Sequence, residues 1–181
     1  MKKIALLFIL ITMLSFFCGC GAGNAKKIFL SETHVVDYYT EVFLDAVEAQ
    51  DVDQIKTLFA PNALTADDDF DESVVELFSY YEGNHEPFGE GKGTQSSTQK
   101  SDGNVRKEIE GTYDVSTDKG DYRIAIKYVY IDTVTPDNEG IWCVYIIKHE
   151  DDPNQDYAYR GDLKDTPGIN IGLSWSRQPW E

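Results

Sequence analysis

The chain has 181 residues, and its 32 acidic side chains outnumber its 16 lysines and arginines, which leaves a net charge of −16 at neutral pH. A surface this acidic repels nucleic-acid phosphates and anionic lipid headgroups, so we predict that the protein does not bind nucleic acid. The length suits one domain with a sizeable hydrophobic core.

The first residues have the pattern of a signal peptide. Two lysines precede the uncharged apolar run 4–17, which is shorter than the roughly 18 to 20 residues that a membrane-spanning helix needs. Gly19 and Cys20 come next, and this segment resembles the lipobox of bacterial lipoproteins. The resemblance implies a signal peptide over residues 1–19 and a diacylglycerol group on Cys20. It further implies a flexible tether over 20–30 and an anchor at the extracytoplasmic face of the cell membrane.

The alternative is an ordinary secreted protein whose Cys20 is free or disulfide-bonded. Phe17, where the lipoprotein pattern prefers leucine, keeps this alternative open. Under the lipoprotein interpretation Cys18 leaves with the signal peptide, and Cys143 is the single thiol of the domain. One thiol forms no internal disulfide, so the hydrophobic core must stabilise the fold. Cys143 lies in the apolar run IWCVYII, which predicts a buried and inert strand residue.

Three helices are predicted at the start of the domain. Apolar residues recur at helical spacing from about residue 33 to 50, and acidic residues occupy the opposite face. A short second helix has Asp51 or Asp53 as its N-cap and is predicted to end at Pro61. A third helix is predicted within DDDFDESVVELFSYYEG, residues 67–83.

The sequence then changes from helical to strand periodicity. Residues 84–103 are rich in Gly, Ser and Thr, which predicts a mobile loop with one irregular edge strand. Apolar residues alternate over 105–117, 122–133 and 140–149, and the second of these strands is apolar on both faces, as in the centre of a sheet. Helices followed by hairpins predict a single α+β domain over 31–181, with N-terminal helices packed on a strongly curved antiparallel sheet.

Four segments carry a resemblance to a known family: FLDAVEAQDVDQIKTLFAPNAL, YDVSTDKGDYRIAIKYVYIDT, GIWCVYIIKHEDDPNQDYAYRGD and TPGINI. They resemble an uncharacterised family of bacterial lipoproteins known as domain of unknown function 5104. Its members are similar to the nuclear transport factor 2-like fold, a cone built from one long helix, two shorter helices and a strongly bent sheet. The resemblance therefore implies this cone. It implies no catalytic residues, because none is established for the family.

A cone of this type can enclose an enzyme site, a binding cavity or only a core. A ketosteroid-type isomerase needs a carboxylate base and a tyrosine paired with a protonated acid in an apolar pocket. Suitable side chains are Asp132 and four tyrosines, which we treat as pocket candidates: Tyr39, Tyr128, Tyr130 and Tyr145. Their periodic positions are equally typical of a core or a sheet surface.

The sequence predicts no metal site and no cofactor. His34, His85 and His149 are far apart and have no ligands at helical or hairpin spacing. Two acidic runs, residues 67–73 and 152–163, place oxygens at alternate positions. Both lack the glycine at the sixth position and the glutamate at the twelfth position that a calcium loop of the EF-hand type needs.

The C-terminal segment is rich in aromatic residues and arginine. Two interpretations are open: a recognition surface, or a segment that lies back across the sheet. The residues concerned are Tyr157, Tyr159, Trp175, Trp180, Arg160 and Arg177.

Two functions from different classes are compatible with the sequence. The favoured hypothesis is a noncatalytic, lipid-anchored domain that binds a small molecule, a peptide or a protein partner at the outer face of the membrane. The alternative is a small isomerase, dehydratase or hydrolase that uses a buried acid and a tyrosine in the cone.

Overall fold

A computed structural model describes residues 32–153 and 159–173. Within these ranges the chain forms four helices followed by a five-stranded, mostly antiparallel sheet. No helix in them is both long and apolar enough to cross a membrane. The predicted signal peptide, Cys20 and the tether lie outside the described residues. The helices are α1 (Glu32–Glu48), α2 (Val52–Leu58), α3 (Pro61–Ala66) and α4 (Phe70–Tyr80).

Helix α1 confirms the helical periodicity of the first predicted segment. Val36, Phe43 and Val47 of its apolar face are buried. After α1 the backbone of Gln50 adopts a positive φ of 51°, which separates α1 from α2. Asp51 is the N-cap of α2, as predicted, because its carboxylate accepts a hydrogen bond from the backbone N–H of Gln54 at 2.9 Å.

The predicted role of Pro61 is wrong. Helix α2 already ends at Leu58, and Pro61 is the first residue of α3, which the sequence analysis did not predict. Proline fits this position because the first N–H of a helix has no partner within the helix and the ring presets φ. Between the two helices, the N–H of Ala60 donates to the carbonyl of Ile141 at 2.9 Å. This contact attaches the helical segment to the sheet.

The three predicted strands are confirmed, and two further strands flank them. The sheet order is β1-β2-β3-β4-β5, with β5 parallel to β4 and all other neighbours antiparallel. The predicted central strand is β3, in the middle of this sheet. The strands are β1 (Lys92–Ser101), β2 (Asn104–Ser116), β3 (Asp121–Asp132), β4 (Gly140–Lys148) and β5 (Gly168–Ile171).

The irregular edge strand predicted within residues 84–103 is confirmed as β1, whereas the prediction of a mobile loop is wrong for the ten residues that form this strand. The ladder between β1 and β2 shifts register between Lys92 and Gln95. Ser, Thr, Gln and Lys dominate β1, so it carries no alternation of apolar and polar residues. Backbone hydrogen bonds to β2 hold this strand in place. Such bonds leave no pattern in the side chains, so the sequence does not reveal them.

The two faces of the sheet have different partners. Ile124, Ile126 and Tyr128 alternate toward the face covered by α1, where Tyr128 stacks on Tyr39. The opposite face, here called the outer face, carries Ala125, Lys127, Cys143 and Tyr145 in the ladder of β3 and β4. The segment 159–167 crosses the outer face before β5 begins.

Candidate functional site

The structure separates the four candidate tyrosines. Tyr39 and Tyr128 come together between α1 and β3, with ring centroids 4.1 Å apart and planes at 17°. Burial raises the pKa of both hydroxyls. Tyr145 lies on the outer face. Tyr130 is the extra residue of a β-bulge in β3, and its ring lies 5.7 Å from Nζ of Lys107.

Asp132 has a structural position in the connection between β3 and β4. Its carboxylate accepts hydrogen bonds from the backbone N–H groups of Val134 and Thr135 at 3.1 and 2.9 Å, and from the side chain of Asn138 at 2.9 Å. Arg106 forms an ion pair with it at 3.0 Å. The hydrogen bond from Asn138 is the largest cause of the lowered pKa of Asp132, which is the opposite of what a protonated catalytic acid requires.

A different acid and tyrosine, the half-buried Asp37 and the buried Tyr113, come nearest to the pair that the enzyme hypothesis needs. The hydroxyl of Tyr113 on β2 donates to Oδ1 of Asp37 on α1 at 2.7 Å, and the N–H of Gly91 donates to the same oxygen at 3.2 Å. Burial and the hydrogen bond to Asp37 raise the pKa of Tyr113. A Cβ atom added at Gly91 or Gly111 would lie 2.8 Å from the Tyr113 side chain. Backbone therefore encloses this hydroxyl on two sides and leaves little room for a substrate atom.

A cavity of about 70 Å³ opens on the outer face. Its floor includes Ala125 and Cys143, whose small side chains leave space between the larger neighbours Lys127 and Tyr145. Cys143 is buried, as predicted, and burial raises the pKa of its thiol, which keeps the sulfur a poor nucleophile. The rim consists of polar and charged side chains: Gln95, Glu110, Lys127, Arg160 and Asp165.

Lys127 is the centre of a charged network beside this cavity. Its ammonium lies 3.0 Å from Asp165, 3.1 Å from Glu110 and 3.3 Å from Glu108. Only 11% of the Lys127 side chain is exposed. Burial by itself lowers the pKa of Lys127, but the hydrogen bond to Asp165 and the charges of the two glutamates outweigh this effect and raise it. The lysine is therefore a permanent cation that holds three carboxylates together.

The segment 159–167 supplies the rest of the rim. Tyr159 is buried against Ala125, Cys143, Tyr145 and Ile147, and its backbone carbonyl accepts a hydrogen bond from the Thr112 hydroxyl at 2.6 Å. The position of Tyr159 therefore agrees with the second interpretation, in which the C-terminal segment lies back across the sheet. Four further residues of that prediction lie outside the described residues: Tyr157, Trp175, Trp180 and Arg177.

The charged network around Lys127 was not predicted from the sequence. Lys127 was visible as a lysine flanked by apolar residues in the middle of β3, and an interior strand rarely carries a lysine without buried partners. Its partners were not visible, because Glu108 and Glu110 lie on another strand and Asp165 lies 38 residues further along the chain. Only the register of β2 against β3 and the path of the C-terminal segment bring them together.

The three histidines occupy different environments. His34 is exposed, with Nε2 at 4.0 Å from Glu90. His85 packs against the end of α1, where its Nδ1 lies 2.7 Å from Oε1 of Glu48 and its ring contacts Phe88. His149 follows β4 in a short 3₁₀ turn. The fold brings His85 close to two acids of α1, a proximity that sequence spacing did not indicate.

Residues 42–149 match the family described as Domain of unknown function (DUF5104). The chain belongs to this family. The matched region runs from the middle of α1 to the residue after β4, so it includes Lys127 and both glutamates of the charged network. Arg160 and Asp165 lie beyond it. No curated protein sequence matches the chain.

Proposed function

We propose that this member of the family is a membrane-anchored extracytoplasmic lipoprotein. Its domain binds a small ligand on the outer face of the sheet and does not transform it. The cavity over Ala125 and Cys143, with a rim of both charge signs, carries this proposal. Pockets that take small molecules combine an apolar floor with a few placed polar groups. The cavity has this composition on a small scale.

The rim suits a small zwitterion. The side chains of Arg160 and Asp165 are 45% and 49% exposed, and each makes one ion pair with the network below, Arg160 to Glu110 and Asp165 to Lys127. Both retain hydrogen-bonding capacity toward solvent. A ligand carboxylate would pair with the guanidinium, a ligand ammonium would pair with the Asp165 carboxylate, and a small apolar group would fill the space over Ala125.

The volume limits the ligand. About 70 Å³ is well below the roughly 300 to 1,000 Å³ of pockets that bury drug-sized molecules. A molecule of the size of alanine, or one end of a longer chain such as a peptide terminus, fits this limit. The negative net charge of the protein disfavours purely anionic ligands.

Ligand-observed NMR tests the binding site on the detergent-solubilised full chain. Saturation transfer to the methyl group of alanine is expected, with weaker transfer to ethylammonium and propionate, because each of these carries only one of the two charges. Arg160→Gln should reduce transfer to alanine, and Ala125→Leu, which fills the cavity, should abolish it. Lys164→Gln is the matched control, because Lys164 is an exposed cation on the same segment. Equal transfer in all variants would place binding elsewhere and contradict the proposal.

The lipid anchor is the second part of the proposal. An acidic domain gains no attraction from anionic headgroups, so attachment must come from the acyl chains. A diacylglyceryl group on Cys20 has two chains, each buried methylene adding about 0.8 kcal/mol, which suffices for stable anchoring. Cys20→Ser should move the protein from the membrane fraction to the soluble fraction, whereas Cys18→Ser should leave it in the membrane. Membrane retention of the Cys20 variant would refute lipidation at this residue.

We further propose that the domain is a nuclear transport factor 2-like cone. Support comes from one long helix, the 17-residue α1, followed by shorter helices and by two long strands, β2 and β3, of 13 and 12 residues. Bulges at Tyr130 and Trp142 bend the strands of the ladder, as a strongly curved sheet requires. A crystal structure of the full chain would test the cone, and a flat sheet would exclude it.

One observation favours the enzyme alternative. The half-buried Asp37 is hydrogen-bonded to the buried Tyr113, and Oδ2 of Asp37 is buried without a hydrogen-bond partner among the described residues. Gly91 and Gly111 enclose the Tyr113 hydroxyl, and this enclosure argues that the pair has a structural role. If the pair is catalytic, Asp37→Asn abolishes turnover in a screen of isomerase, dehydratase and esterase substrates. If the wild-type chain turns over none of them, this alternative loses its support.

A further inference from the structure

Asp45, Glu48 and His85 converge at the end of α1. Each residue offers one ligand atom, and these atoms lie within 4.8 Å of one another. Asp45 and Glu48 are three residues apart on the helix, which places them on the same side of it. His85 comes from the segment after α4, so the cluster joins two parts of the chain.

The hydrogen bonds leave part of the cluster available. Oε1 of Glu48 accepts from the backbone N–H of His85 at 2.6 Å and lies 2.7 Å from Nδ1 of the same residue. The hydroxyl of Tyr81 reaches this oxygen as well, at 3.4 Å. All three contacts use Oε1, so within the described residues Oε2 of Glu48 has no hydrogen-bond partner. The same holds for the carboxylate of Asp45, which is exposed.

The electrostatics of the helix end favour a cation at this place. Asp45 and Glu48 lie in the last turn of α1, where the helix dipole is negative and where basic residues are the favourable ones. This last turn contains no basic residue. Among the described residues, His85 is the only basic side chain that forms an ion pair with either acid. Glu48 is only 15% exposed, so water screens its charge less than it screens the charges of surface groups.

We propose that Asp45, Glu48 and His85 bind a divalent transition-metal ion, with Zn²⁺ as the representative case. One imidazole nitrogen and two carboxylate oxygens suit zinc and its neighbours, whereas calcium and magnesium prefer oxygen ligands throughout. In the tetrahedral arrangement that zinc prefers, ligand atoms at about 2.0 to 2.2 Å from the ion are about 3.3 to 3.6 Å apart. Zinc binding therefore requires the exposed Asp45 side chain to rotate toward the other two ligands, and water completes the coordination.

The ion would connect the segment after α4 to α1. That segment continues through Phe88, whose ring packs against Tyr113, to Gly91, whose N–H binds Asp37. Metal binding at His85 would therefore also reinforce the contact between this segment and the sheet. The site lies on the α1 side of the sheet and shares no residue with the cavity of the outer face.

Isothermal titration calorimetry with zinc chloride tests the proposal on the metal-stripped full chain in detergent. The wild-type chain should bind one Zn²⁺, and Asp45→Asn and His85→Gln should each weaken binding by about tenfold or more, since even second-shell changes cost about 10- to 100-fold. His34→Gln is the matched control, because His34 also faces a glutamate but is exposed and does not belong to the cluster. All three variants leave the cysteines unchanged, so thiol binding does not distinguish them.

Absence of zinc binding by the wild-type chain would overturn the proposal, as would unchanged binding in Asp45→Asn. Equal weakening by His34→Gln and His85→Gln would also overturn it, since zinc would then bind scattered surface groups. Circular dichroism of each variant identifies a loss of fold. If His85→Gln unfolds, Asp45→Asn still decides, because Asp45 is exposed and its side chain makes no hydrogen bond to the described residues.

Discussion

Replacement of Lys127 by methionine removes the cation at the centre of the outer-face network but keeps most of the apolar stem. Three carboxylates, those of Glu108, Glu110 and Asp165, then face one another without the ammonium that now lies 3.0 to 3.3 Å from each. Removal of one partner of a fully buried ion pair costs about 3 to 5 kcal/mol, whereas exposed pairs contribute about 0.2 to 1 kcal/mol. Because Asp165 is half-exposed, we expect a loss of about 2 to 3 kcal/mol in the free energy of unfolding.

Urea unfolding at pH 7, followed by circular dichroism, measures this loss. Lys164→Met is the control: this lysine is 77% exposed and lies 3.8 Å from Asp162, so its removal should cost less than about 0.5 kcal/mol. Adding Asp165→Asn to the Lys127 variant should restore part of the stability, because Lys127 is the only ion-pair partner of Asp165 among the described residues and its charge would otherwise stay uncompensated. A Lys127→Met protein as stable as the wild type would refute the reasoning, since the network would then contribute no net stability.

The pH dependence of this difference has a defined sign. The folded-state pKa of Lys127 is raised above its ordinary value of about 10.4. A raised folded-state pKa stabilises the fold fully below the unfolded-state pKa, and the contribution is lost as the pH rises through the folded-state pKa. The stability difference between wild type and Lys127→Met should therefore be undiminished at pH 7 and should decrease only at strongly alkaline pH.

Three further predictions concern single positions. Gly111→Ala should destabilise the fold by about 1 to 3 kcal/mol in urea unfolding, because the new Cβ would lie 2.8 Å from the Tyr113 hydroxyl oxygen. Adding Tyr113→Phe to the Gly111 variant removes that oxygen and should restore part of the lost stability. Asp51→Ala should cost about 1 kcal/mol by loss of the N-cap of α2, and Asp51→Asn should cost less; equal losses would contradict a capping role. Cys143 should resist a thiol reagent until urea unfolds the chain, as measured by mass spectrometry of its peptide, and rapid labelling of the folded protein would show that the thiol is accessible.

Much of the fold was predictable because the spacing of apolar residues along the sequence indicates which side chains are buried. Helix α1 and the central strand β3 bury apolar side chains at spacings of 3.6 and 2 residues, and both appear as predicted. Strand β1 was predictable only as an irregular edge strand of undefined length, since its polar side chains contain no periodic signal. The role of Pro61 was misjudged because proline marks both the ends and the first positions of helices.

The candidate sites depend on contacts between distant parts of the chain. Tyr39 and Tyr128 were named for their chemistry, and the fold uses them as a stacked pair in the interface between α1 and the sheet. Tyr130 shares the parity of Tyr128 in the sequence, but a bulge, which no residue pattern announced, displaces it from that alternation. Tyr145 alone among the four lines the outer-face cavity.

The acidic character of the protein, the order of helices before strands and the buried position of Cys143 follow from composition and local spacing, so the amino-acid sequence was sufficient to predict them. The charges that meet at Lys127, and the proximity of His85 to Asp45 and Glu48, could be seen only in the folded chain. Those clusters combine residues from separate strands, helices and connecting segments. Their proximity follows from strand register and from the path of the chain, and neither is encoded in the spacing of neighbouring residues.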